Sequence, residues 1–279
     1  MNLERATRPA TRPALRRLVL IAAFAAITSS AVGPAAHPAP ASATTLSPTA
    51  SSIETQLLSW VNNARAQRGL VSLRLRAGLV AMSGDRAAYM ASTGVLAFPS
   101  CLSCMYTTYN VQKYNYGEII SWSSYNWGTE AAQSIWNGWR NSSSHWGKLM
   151  SSTFNYIGIG IAYRSANQST WASADLTESK DVTNPWGKFG SGSVSGTTVA
   201  WSWTGADTRL QTHTAGLQNF DVQYRVDSGS WTTIRSGTTA KSLSLTGRAH
   251  GHWYGLRIRA RDNLGHVSSY TAELHFWVP

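Results

Sequence analysis

The run Tyr156-Ile-Gly-Ile-Gly-Ile-Ala-Tyr163 constrains the fold of this chain more than any other segment. Ile157, Ile159, Ile161 and Tyr163 alternate with Gly158, Gly160 and Ala162, which is the period of a β-strand. A strand with bulk on one face and almost nothing on the other is suited to a helix lying close on its small-residue side. Trp171 to Leu176 offers a pairing strand after the turn at Ser165 to Thr170.

Helical spacing surrounds this strand pair. Ile53, Leu57, Trp60, Val61 and Ala64 recur at helical intervals until Gly69, and Ser51-x-x-Glu54 reads as a capping box at the start of the run. Leu79, Ser83, Ala87, Met90 and Gly94 mark a second helix whose small residues permit close packing. Thr129 is expected to cap a third, with Ala132, Ile135, Trp136 and Trp139 on one face and Glu130 in the first turn, where the helix dipole favours a carboxylate. A short helix is expected from His145 to Met150. The expected fold class is α+β, a three-layer α-β-α sandwich, followed by an all-β immunoglobulin-like sandwich. Beyond residue 199 short alternating segments such as Val199 to Trp203, Phe220 to Val226 and Leu256 to Ala260 are separated by turn residues. The Gly/Ser/Thr-rich stretch 183–198 reads as a linker between domains 51–182 and 199–279.

The N-terminus carries Arg5, Arg8, Arg12, Arg16 and Arg17, then the apolar run Leu18 to Ile27, then Ala41-Ser42-Ala43. This is the order of a secretory signal, and the apolar run falls short of the ~20 residues of a membrane span. Residues 1–43 are therefore expected to be a signal peptide and 44–50 a spacer. The chain reads as an exported bacterial protein, extracellular or attached to the cell wall, and peripheral to a membrane at most. The formal net charge is +11, and a basic excess persists without the leader. Such a protein is drawn to anionic envelope polymers or lipid headgroups, unless the charge only keeps it soluble. Nucleic acid is not expected, because the basic residues are scattered except for Arg257, Arg259 and Arg261, which alternate along one strand face. Cys101 and Cys104 are the only cysteines; oxidising surroundings favour a short-loop disulfide over two free thiols.

Several segments resemble the secreted CAP superfamily, whose members are also called SCP-like or cysteine-rich secretory proteins. Val61 to Leu70 is similar to the family's opening helix and its closing turn. Tyr116-Gly117-Glu118-Ile119 stands where the family has Gly-Glu-Asn, and Ser144-His145 and Phe154 to Gly160 follow in the family's order. The resemblance runs from Ile53 to Glu178. Tyr254 to Gly265 resembles a late strand and turn of fibronectin type III domains, with Tyr254 as a corner tyrosine.

The CAP resemblance implies a cleft lined by two histidines and two acidic residues, the histidines able to hold a metal such as zinc. Glu118, Glu130 and His145 match three of these positions. The place of the first histidine falls on Phe98, which cannot ligate. Zinc needs three or four well-placed donors, so neither a zinc ion nor another cofactor is expected. Two readings remain. Glu118 and Glu130 are a carboxylate pair with His145 as proton partner, in a hydrolase of peptide or cell-wall polymer, or the three only tie the sheet to its helices. The reading preferred here is binding of an envelope glycan or lipid. The stretch Tyr106 to Trp127 is dense in rings, and Tyr116, Trp122, Tyr125 and Trp127 are its candidate contacts. The second domain then presents or anchors the first.

Overall fold

The computed structural model describes residues 48–279. The expected signal peptide and most of the expected spacer lie outside the described residues. Helix α1 spans Pro48–Ala66. It begins ahead of the expected boundary at 51, because a proline is accommodated in the first turn of a helix. Glu54 consequently sits within the helix and closes no capping box. Its Oε1 accepts the Ile161 N–H at 3.2 Å.

The chain continues through β1 (Arg74–Leu75), α2 (Ala77–Thr93), α3 (Leu102–Thr108), β2 (Asn115–Ser123), α4 (Thr129–Asn141), α5 (Ser143–Leu149), β3 (Tyr156–Arg164) and β4 (Ser169–Glu178). The four strands form one sheet in the order β1-β3-β4-β2, parallel between β1 and β3 and antiparallel elsewhere. α2 covers one face. A Cβ on Gly158 would lie 2.1 Å from the Leu79 carbonyl carbon, and one on Gly160 would lie 2.1 Å from that of Ser83. The bare side of β3 thus admits the backbone of α2 itself. On the opposite face Ile157, Ile159 and Ile161 join Leu57 and Val61 of α1, Ile135 and Trp139 of α4 and Leu149 of α5 in the main core. α4 is preceded by Gly128, which has no side chain to cap it, so Thr129 is its first residue and not its cap.

The second half contains β5 (Trp186–Ser195), β6 (Thr198–Ala206), β7 (Leu217–Val226), β8 (Thr232–Thr238), β9 (Ser242–Leu245), β10 (His252–Asp262) and β11 (Leu274–Val278). They form two sheets, β11-β10-β7-β8 and β5-β6-β9. Trp201 and Trp203 meet Phe220, Val222, Leu256 and Ile258 in the core of this sandwich. The Tyr254 hydroxyl donates to the Ala249 carbonyl at 3.0 Å, as a corner tyrosine does. Most of the expected linker 183–198 is strand β5, which pairs with β6. As an edge strand it tolerates small polar residues, and Gly192 makes room for the Phe276 ring, so its composition reflects close approach and not a flexible tether.

The loop between β6 and β7 folds back on the first half. Leu210 is buried with Leu79, Met82, Tyr106, Val111 and Tyr156. The Gln211 side chain accepts the Val71 N–H at 2.7 Å, and Asn155 donates to the Thr212 carbonyl at 3.0 Å. Asp181, Asp207 and Asp262 converge here, with ligand oxygens within 4.8 Å of one another. Their oxygens are taken by N–H and O–H donors, including those of Thr183, Ala215, Gly216 and His266, so the group ties loops together.

Candidate functional site

Along β2, Glu118 and Ile119 necessarily face opposite sides of the sheet. Ile119 enters the core formed with α1, α4 and α5. Glu118 therefore faces α2, where the Arg86 Nε donates to its Oε1 at 2.8 Å and the Ser173 hydroxyl donates at 3.1 Å. The Glu118 side chain is fully buried and that of Arg86 nearly so. Arg86 also donates to the Ala97 carbonyl, fastening the loop that carries Phe98.

Asp175 stands directly across from Glu118 on β4. Its Oδ2 accepts the Ser83 hydroxyl at 2.7 Å and the Ser173 hydroxyl at 3.3 Å. Burial first, and the Glu118 charge second, push its pKa from 3.8 up to about 7. Glu118 Oε2 and Asp175 Oδ1 are buried and have no hydrogen-bond partner among the described residues. The carboxylate pair of this protein is thus Glu118 with Asp175, not Glu118 with Glu130.

Glu130 lies exposed in the first turn of α4, beside a depression it lines with Tyr125 and Gln133. His145 is in α5, on the face opposite Glu118. Its Nδ1 is buried without a partner, and burial, then the Lys148 charge, lower its pKa. Among the described residues no hydrogen bond or ion pair joins Glu118, Glu130 and His145. The expected grouping fails because membership of the cleft depends on which way a β2 side chain points, a matter of one residue. Phe98 is exposed and lines a cavity of about 550 Å³ with Arg86, Tyr89 and Met105. With Glu118 Oε1 committed to Arg86 and phenylalanine at the remaining position, these residues do not fit a zinc ion.

Of the four candidate binding rings, Tyr116, Trp122 and Tyr125 are exposed, and Trp127 packs against Tyr163 at a centroid distance of 5.4 Å. Tyr116 and Trp122 share the Glu118 face of β2. Trp122 stacks on its cross-strand partner Trp171 at 6.0 Å. Cys101 and Cys104 form a disulfide at the start of α3. Sequence reasoning missed Arg86, Asp175, Ser83 and Ser173. Their signal was a polar pair two apart on a strand with both faces covered, matched by polar residues three apart on α2.

Residues 58–176 match the family model CAP, described as the cysteine-rich secretory protein family. They form a CAP domain. No curated protein matches the chain. Among solved structures, a cysteine-rich secretory protein from Staphylococcus aureus is 17% identical, covering 47% of this chain and 40% of that one at a TM-score of 0.39. An extracellular protein containing an SCP domain from Bacillus anthracis is 15% identical over 49% and 45%, with a TM-score of 0.41. The chain therefore spans less than half of either relative. A Fn3-like protein from Clostridium thermocellum is 23% identical over 33% of this chain and 92% of that one, at a TM-score of 0.25. Among the described residues no helix is long and apolar enough to cross a membrane.

The buried acids give the CAP domain a testable pH response. An acid whose folded pKa is raised remains protonated in the folded chain while the unfolded chain ionises, so its contribution is complete below about pH 4 and lost as the pH rises toward 7. Asp175 at about 7 follows this sign, as does Glu54, raised by burial from 4.5 to about 7. Asp175→Asn is expected to gain on the parent protein as the pH rises from about 4 to 8, by on the order of 3 kcal/mol. Urea melts of both proteins across that range check this; a constant difference would remove the raised pKa from the account.

Proposed function

We propose that this is an exported binding protein whose CAP domain engages a cell-envelope glycan or lipid, with the C-terminal sandwich as its presenting or anchoring module. The observation that carries the reading is the fate of Glu118. The acid that would do chemistry in the hydrolase alternative is sealed beneath α2 and neutralised by Arg86, while Tyr116 and Trp122 on the same strand face remain open to solvent. Exposed rings give an amphipathic ligand area to bury at small entropic cost. Among the described residues the remaining polar groups of the hydrolase alternative, Glu130 and His145, make no hydrogen bond or ion pair with Glu118 or with another acid.

Trp122→Ala is expected to reduce retention on purified envelope polysaccharide or lipid about tenfold, the usual loss for a ring central to an interface, with an unchanged circular dichroism spectrum. Turnover of a peptide or glycan polymer, abolished by Glu118→Gln or His145→Ala and indifferent to Trp122, would replace this reading with the hydrolase.

A further inference from the structure

A second surface, on the face of the domain away from Trp122, has the composition of a ligand site and no role in the reading above. Three helices converge there. Trp60 of α1, Trp136 of α4 and Trp146 of α5 form a continuous aromatic floor, with centroids 6.0 Å apart between the first two and 5.7 Å apart, edge to face, between the last two. All three rings are half-buried against the main core, so their positions are fixed while part of each remains open. They line a depression of about 400 Å³, within the range of small-ligand sites.

The rim is polar and uncommitted. Asn63 on α1 and Gln67, just past its end, follow Trp60 along the same side. Arg68 is held with its guanidinium 4.9 Å from the Trp146 ring centroid, and among the described residues its only side-chain hydrogen bond is a long one to the Ala64 carbonyl at 3.3 Å. Arg140 and Asn141 close the depression at the end of α4. All five rim residues are exposed, and neither arginine has an acidic partner among the described residues. Two arginines without a counter-charge, facing one aromatic floor, call for an anion that also has apolar faces.

We propose that this depression binds a sugar unit carrying a carboxylate. A pyranose ring presents apolar faces to stack on tryptophan and hydroxylated edges to meet amides, and a carboxylate accepts the planar fork of a guanidinium in two parallel bonds. An acyl chain would leave the three amide side chains and both guanidiniums without partners as it covered them.

The test uses trigalacturonate and its fully methyl-esterified form as probes, with binding followed by tryptophan fluorescence and by calorimetry on the exported chain. The acid is expected to bind saturably and to weaken as salt is raised. The ester is expected to bind about tenfold more weakly, and Arg140→Gln to weaken the acid to a similar degree, since each removes a charge-assisted hydrogen bond. Arg140 is exposed and its side chain makes no hydrogen bond or ion pair among the described residues, so the variant is expected to keep its fold, which an unchanged melting temperature verifies. Trp122→Ala is expected to leave trigalacturonate binding intact, which separates this site from the β2 surface. No saturable binding, equal affinity for acid and ester, or a loss on Trp122→Ala with none on Arg140→Gln would each overturn the proposal.

Discussion

Gly160→Ala is expected to leave no soluble folded protein, or one destabilised by more than about 4 kcal/mol. The added methyl carbon would lie 2.1 Å from the Ser83 carbonyl carbon and 2.2 Å from the Gly84 nitrogen. Those atoms are helix backbone and cannot swing aside as a side chain would. Relief requires α2 to lift from β3, which would part Glu118 from Arg86 and Asp175 from Ser83 and open Met82 and Leu79 to water. Gly138→Ala serves as the comparison. Its Cβ would meet only the Ser121 hydroxyl oxygen at 3.1 Å, and alanine is the better helix former. Soluble yield and urea denaturation of the two variants separate a specific clash from a general intolerance of substitution; a Gly160→Ala protein as stable as the parent would mean that α2 does not lie this close.

Arg86→Leu is expected to destabilise the protein by about 3–5 kcal/mol, the usual consequence of stranding a buried charge. Leucine fills much of the space, so the loss is one of charge and hydrogen bonding. Glu118 would retain only the Ser173 hydroxyl beside a second buried carboxyl at Asp175. Adding Glu118→Gln to Arg86→Leu is expected to restore more than half of the loss, since the amide removes the stranded charge. A double-mutant cycle by chemical denaturation measures the coupling; independent, additive effects of the two changes would mean that the ion pair does not hold α2 to the sheet.

Both expectations rest on features of unequal visibility in the sequence. The Ile/Gly alternation of Tyr156 to Tyr163 announced the strand and its close helix because bulk on one side and absence on the other is a local pattern. The corner tyrosine was legible through the resemblance of Tyr254 to Gly265 to fibronectin type III domains, and the disulfide through the close spacing of two cysteines in a chain expected to meet oxidising surroundings. Asp175 was not. Ser173 and Asp175 alternate with Ala172 and Ala174, which reads as a half-exposed strand unless both faces are known to be covered, and coverage is a tertiary fact. The grouping of Glu118 with Glu130 and His145 failed at a similar point, since order along the chain does not say which face of β2 a side chain takes. Strand β5 was hidden by composition, because glycine and serine mark an edge strand packed against large rings as readily as they mark a tether. The convergence of Trp60, Trp136 and Trp146 from three helices left no mark in the spacing at all.

The loop that carries Leu210 bears on how this protein is engineered. A designer who trims the chain after β4 to obtain a minimal CAP module would remove the residue that lids Tyr156 and Val111, and with it the acceptor of the Val71 N–H and the partner of Asn155. The product would present a sticky apolar scar where the parent has none. A graft onto another carrier needs residues 207–216 transplanted together with the module, or a redesigned polar surface at Val111 and Leu79. The boundary at which the chain is best cut thus differs from the one at which its architecture changes.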